Sequence, residues 1–225
     1  MLNKKSIILC GHYGSGKSEI ASNIALKSNC EKKKFYDLDI VNPYFRNNLL
    51  VEKFKENGIK FISGTVDGQN ADLPSLPNIN IQNDEKVIID LGGDSVGAKV
   101  LKSYSQNKFK DKNIELVIVI NCNRFETKDE LGVVKYIQNI QDVLKMKITG
   151  LISNTHLLKE TTVNDILKGY EIVKKIEEKY EIPILAVTYP KDYVKEDSLE
   201  KEITDIFLKE KLFPLDLNLR EKWMS

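Results

Sequence analysis

Short apolar runs alternate along the chain with longer segments whose apolar residues recur every three or four positions. The runs fall at 6–10 (SIILC), 34–38, 59–63, 87–91 (VIIDL), 114–120 (IELVIVI), 148–153 and 183–187. Most lack an in/out alternation, which is the pattern of strands covered on both faces. The segments between them read as helices. Residues 17–28 carry Ile20, Ala21, Ile24 and Ala25 on one stripe. Further helices are predicted at 44–57, 95–106, 128–145 and 195–209. Another begins after Thr162, which with Asp165 makes a capping box. Its stripe is Val163, Ile166, Leu167, Tyr170, Val173 and Ile176. Residues 67–83 hold Pro74, Pro77 and several Asn without any period, so they read as a long loop. Strand–helix alternation of this kind predicts an α/β fold with a mostly parallel sheet. One domain over 1–212 is expected, followed by a tail at 213–225. In the tail Leu215, Leu217 and Leu219 alternate, fitting either an edge strand or a partner contact.

Composition narrows the class. At 41% apolar and 30% charged residues, a chain of 225 residues can bury a sizeable core. A net charge of +1 gives no field of one sign, so nothing favours a nucleic-acid or membrane partner. The apolar run near the N-terminus is too short for a signal peptide. No run approaches the roughly 18 residues needed to cross a bilayer, and a cytoplasmic location is expected. Three cysteines, an odd count without metal spacing, argue against a disulfide framework or a zinc site. Cys10 reads as a core residue.

The chemistry concentrates at residues 11–18, Gly11-His12-Tyr13-Gly14-Ser15-Gly16-Lys17-Ser18, which fit G-x-x-x-x-G-K-[ST] at every fixed position. A buried strand enters and an amphipathic helix leaves from Lys17, and residues 11–19, Glu19 included, are expected to bind the nucleotide. Gly11, Gly14 and Gly16 are expected to permit positive φ and close approach to phosphate. Successive N–H groups would then form an anion nest at a helix N-terminus. Lys17 would neutralise the outer phosphates, and the Ser18 hydroxyl would ligate Mg²⁺. A dinucleotide fingerprint fails, because its third glycine would fall at Glu19.

Carboxylates complete the pattern. Asp90 ends an apolar strand with Gly93 three residues on, so the carboxylate would reach the magnesium shell and the Gly93 amide the γ-phosphate. Asp37 and Asp39 alternate at the end of the second strand. Asp39 is the candidate for positioning the attacking water and Asp37 for supporting the metal. Asp94 reads as a helix cap. Guanine specificity is not expected, because Asn121-Cys122-Asn123-Arg124 after the strand at 114–120 lacks the Lys and Asp of N-K-x-D.

Taken together, the loop at 11–18, D-x-D at 37–39, DxxG at 90–93 and Asn154 resemble the MinD/ParA-like (CobQ/CobB/MinD/ParA) P-loop ATPases. The resemblance covers roughly residues 5 to 195. It implies a three-layer fold with about seven strands, Mg-ATP binding and an ATP-dependent homodimer. It also implies adenine recognition by Asn154, with residues 188–192 as the other wall of the base pocket. The sequence departs from deviant members of the family at His12, where they carry an extra lysine that reaches across the dimer. His12 either contacts phosphate or lies in the loop against Tyr13 or solvent. Arg46, in a run beginning at Asn42, serves either a phosphate or a surface acid.

Three functions fit these residues. A slow ATPase switch is read by a protein partner. An ATP-dependent kinase or ligase of the dethiobiotin synthetase type uses the loop at 67–83 with Arg46 and His156. A nucleotide-binding regulatory subunit turns over negligibly. The first is favoured, since DxxG is switch-like and no substrate domain is evident.

Overall fold

The computed structural model describes residues 6–39, 48–63, 77–82, 84–92, 101–102, 114–203 and 206–219. Among them eight parallel strands form one sheet in the order β3-β2-β4-β1-β5-β6-β7-β8. They are β1 (Ser6–Cys10), β2 (Lys33–Leu38), β3 (Ile59–Ser63), β4 (Lys86–Leu91), β5 (Ile114–Ile120), β6 (Gly150–Ser153), β7 (Ile184–Pro190) and β8 (Leu212–Leu215). The helices are α1 (Lys17–Lys27), α2 (Asn48–Glu56), α3 (Glu130–Leu144), α4 (Val163–Tyr180), α5 (Glu196–Glu202) and α6 (Ile206–Glu210). The α/β architecture expected from the pattern is present, with one strand more than the seven anticipated.

Alternation along the central strand divides the core into two layers. Ile7 and Leu9 of β1 join Ile20, Ala21, Ile24 and Ala25 of α1 and Leu50 and Phe54 of α2. Ile8 and Cys10 point to the other face, with Val133, Ile137 and Ile140 of α3 and Ile166, Tyr170 and Val173 of α4. A sheet apolar on both sides thus acquires a helical layer on each. Phe35, Phe54 and Phe61 cluster where α2 meets β2 and β3, with ring centroids 4.9–6.0 Å apart.

Local signals set the helix ends. Asp129 caps α3 by accepting from Gly132 N at 2.9 Å. The Thr162–Asp165 capping box opens α4 as expected, and the two bonds from Thr162 hold the Asp165 carboxyl below its usual range. The helix expected at 195–209 is interrupted: Ile203 is extended (φ −86°, ψ 115°) and buried. Leu199 and Leu208, which nine positions along an unbroken helix would place on opposite sides, lie in one apolar cluster. Of the helix expected at 95–106 only 101–102, helical with Leu101 buried, are described. Of the loop at 67–83, residues 77–82 are described. Gly93, Asp94, Asn42 and Arg46 lie outside the described residues.

The sheet ends on β8, parallel to β7 from Val187↔Leu212 to Pro190↔Leu215. The expected boundary at 212/213 falls inside this strand, and Leu215 is fully buried beside Ala186.

Candidate functional site: a phosphate loop at the centre of the sheet

Strand order runs outward in both directions from the region of β1, so its C-terminal end opens a crevice where α/β sheets bind ligands. Residues 11–18 leave β1 at that point. Gly14 (φ 75°) and Gly16 (φ 85°) are left-handed, a conformation that costs other residues, and Ser15 N donates to His12 O at 2.9 Å across the turn. Gly16 is the N-cap of α1 and supplies no side-chain cap. The first-turn amides are thus left to a ligand or water.

Gly11 differs from the expectation that all three glycines supply positive φ. Its φ is not positive, and its requirement is space. A Cβ there would lie 2.3 Å from Ser15 Oγ and 2.8 Å from the Val119 carbonyl. His12 lies half-buried in the loop, its Nδ1 3.3 Å from the Tyr13 carbonyl oxygen. Its ring meets Tyr136 edge-on at 5.9 Å, and Nδ1 lies 3.7 Å from Glu126 Oε2. Tyr13 is 67% exposed.

The acids lie next to the loop. Lys17 Nζ donates to Asp39 Oδ2 at 3.0 Å, a pair that is largely enclosed. Asp39 N donates to Asp37 Oδ1 at 3.0 Å. Asp37 and Asp90 are paired residues on adjacent strands β2 and β4, and both are buried. Burial first, and the Asp90 charge second, push the Asp37 carboxyl up to about 8. Asp37 Oδ2 has no hydrogen-bond partner.

This arrangement fits a divalent cation. Two buried acids repel each other, one oxygen is orphaned, and a hard cation accepts oxygen ligands. Among the described residues no three His, Cys, Asp or Glu side chains form a cage. Magnesium commonly uses one or two carboxylates together with phosphates. Ser18, half-buried at the start of α1, and Asp37, Asp39 and Asp90 are the groups available to hold it.

Other residues brace the loop. Asn154 follows β6 and is fully buried. Its Nδ2 donates to Ser15 O at 2.6 Å, and its Oδ1 accepts from the Thr188 hydroxyl. Both polar atoms of the amide that the resemblance assigns to adenine are therefore engaged within the protein. The same contact explains Gly16, where a Cβ would lie 2.3 Å from Asn154 Nδ2. Arg124, which the sequence marked only as a departure from N-K-x-D, donates Nε–H to Gly14 O at 3.0 Å. Its one sequence signal is its place just after β5, on the rim of the crevice. Glu19 does not turn toward the loop: its carboxylate accepts from the Asn218 and Leu219 amides at 2.5 and 3.2 Å. Cys10, fully buried below the loop, is pushed up to about 12 by burial and remains a thiol.

Solved structures resemble this arrangement in fold. FtsY, a cell division protein from Thermotoga maritima, superposes with a TM-score of 0.50 at 18% identity, over 80% of this chain and 60% of its own. The signal recognition particle receptor FtsY from Elizabethkingia anophelis, in complex with GDP, gives 0.50 at 15% identity, over 83% and 58%. The fold is that of the P-loop NTPases. The present chain spans about three fifths of either FtsY chain, and the likeness at this identity is one of fold. No protein-family model matches the sequence, and no curated protein matches it. Among the described residues no helix is long and apolar enough to cross a membrane.

Proposed function

We propose that the protein binds Mg-ATP at residues 11–18 and acts as a slow ATPase switch on a protein partner, in the manner of the MinD/ParA-like group. The observation that carries this reading is the Lys17–Asp39 pair at the loop. Triphosphate binding would draw the ammonium group from Asp39 to the phosphates and release a carboxylate beside them. Asp39 is then placed to orient a water, and its displacement gives nucleotide binding a structural consequence. The Asp37–Asp90 pair and Ser18 supply oxygens for the metal, which would neutralise phosphate charge. The N–H groups and dipole of α1 do the rest of the binding.

Adenine over guanine is supported by the chain itself. Neither Asn121-Cys122-Asn123-Arg124 after β5 nor Asn154-Thr155-His156-Leu157 after β6 contains the Lys and Asp of N-K-x-D. The GDP in one FtsY structure belongs to that protein. Gly93, assigned to the γ-phosphate, remains part of the proposal, as do the ATP-dependent homodimer and the cytoplasmic location.

Titration with fluorescent ATP and GTP analogues, with and without magnesium, tests the reading. Wild type should bind ATP in preference to GTP, and Lys17→Ala should lose binding of both. Full affinity in Lys17→Ala would refute the site. Turnover measured alone and with cell extract, followed by isolation of the ATP-trapped complex, tests the switch. An ADP burst that depends on a small-molecule acceptor would favour the kinase or ligase alternative.

A further inference from the structure

The outer face of α1 is stitched to the chain that follows β8. Glu19 accepts the amides of Asn218 and Leu219. One turn on, Asn23 Nδ2 donates to Asp216 O at 2.8 Å, and Asp216 N donates back to Asn23 Oδ1 at 2.9 Å. Lys27, one turn further, lies 3.2 Å from the Asp216 carboxylate, over the Phe213 ring, and donates to the Pro214 carbonyl. Lys191, just after β7, also pairs with Asp216. Lys53 of α2 donates to Asn218 Oδ1 at 2.5 Å. Positions 19, 23 and 27 share one helix face, so residues 213–219 run as a strap over the helix that starts at the phosphate loop.

The position of Glu19 gives the strap a purpose. It directly follows Ser18, and the residue is 8% exposed. A buried carboxylate one residue from the phosphate-binding helix end opposes a triphosphate. A buried charge is tolerated when hydrogen bonds satisfy it, and the two strap amides do that. With the strap docked, the negative group is fixed against residues 218 and 219. With the strap released, the carboxylate loses these two amide donors beside the entering phosphates.

We propose that residues 216–219 act as a positioning strap that holds Glu19, so that strap docking and triphosphate binding at residues 11–18 are thermodynamically coupled. This rests on the phosphate-site reading above. Coupling is reciprocal: whatever the strap contributes to nucleotide affinity, the nucleotide returns to strap docking.

Two experiments on the full chain test it. The first measures hydrogen exchange of the wild type with and without saturating Mg-ATP. Peptides covering 216–219 should exchange several-fold more slowly with nucleotide, and unchanged exchange there overturns the proposal. The second removes the amide donors, with Asn218→Pro or Leu219→Pro, and reads the affinity for a fluorescent ATP analogue. Affinity should fall about tenfold, within the usual range of coupling. Adding Glu19→Gln to either variant should recover most of the loss, because the charge the strap restrained is gone. A merely structural strap would give no such recovery, and a loss that Glu19→Gln deepens overturns the idea. Wild type that binds ATP while the proline variants bind equally well would refute the strap alone. Wild type that binds no nucleotide would refute the phosphate site together with it.

Discussion

Asp37 is the residue whose environment is most out of balance. Its carboxyl is pushed up to about 8, by burial and then by Asp90, from an ordinary value of 3.8. Between those values the folded protein keeps a proton that the unfolded chain has released. The folded state then binds more protons, so stability falls as pH rises through that window and levels off above about 8. Asp37→Asn should remove this slope. At pH 7 it should stabilise the nucleotide-free protein by roughly 1–3 kcal/mol, since folding no longer has to hold a proton that the unfolded chain releases. The same change should weaken magnesium-dependent nucleotide binding. Chemical denaturation between pH 5 and 9 checks the first outcome, and titration with and without magnesium the second. A neighbouring residue separates two roles. If Asn154 serves as a brace, Asn154→Ala leaves Ser15 O without that donor and weakens ATP and GTP analogues alike, by about tenfold. If it also reads adenine, ATP alone should suffer the larger loss.

Elements carry those residues to the site. The segment after β5 does so through Arg124, whose bond to Gly14 O ties it to the tip of the phosphate loop. Arg124 is exposed, so Arg124→Ala should move thermal stability little. Loss of one hydrogen bond should loosen residues 12–15 and reduce ATP affinity by about three- to tenfold. Hydrogen exchange at the loop, measured beside affinity, would show whether the two move together. The sequence made the strand–helix order legible because a buried parallel strand is apolar at nearly every position, as at 114–120. It singled out the loop at 11–18 because G-x-x-x-x-G-K-[ST] is contiguous, and the structure sets that loop between β1 and α1 with Gly14 and Gly16 left-handed. Arg124 was not legible, since its partner is a carbonyl 110 positions away. The role of Gly11 was not legible either, because closeness to Val119 is a property of the folded sheet. The break at Ile203 was hidden for a related reason: 195–209 keeps helical spacing, and only packing decides where it bends. Glu19, Asn23 and Lys27 are polar at turn-by-turn spacing beside an apolar stripe, which from sequence looks like a solvated face. The structure instead covers that face with β8 and the chain after it.

At the scale of the whole molecule, the site joins both halves of the sheet. β2 and β4 bring the acids, β1 the phosphate loop, and β5, β6 and β7 the braces Arg124, Asn154 and Thr188. A ligand held at this junction stabilises the native state as a whole, by an amount set by its concentration relative to its dissociation constant. At one hundred times that constant the gain is about 2.7 kcal/mol. For a chain of this size each kcal/mol raises the midpoint by about 2–4 °C. Mg-ATP at that excess should therefore raise the melting temperature by roughly 5–11 °C. Lys17→Ala should melt without this dependence, because the group that meets the phosphates is gone. Asp39→Asn should keep most of the shift while slowing turnover, since it removes the carboxylate proposed to orient water and leaves the loop amides intact. Thermal scans across an ATP series, set against ADP release for the same three proteins, check the prediction. A shift in Lys17→Ala equal to that of wild type would place the nucleotide somewhere other than the end of β1.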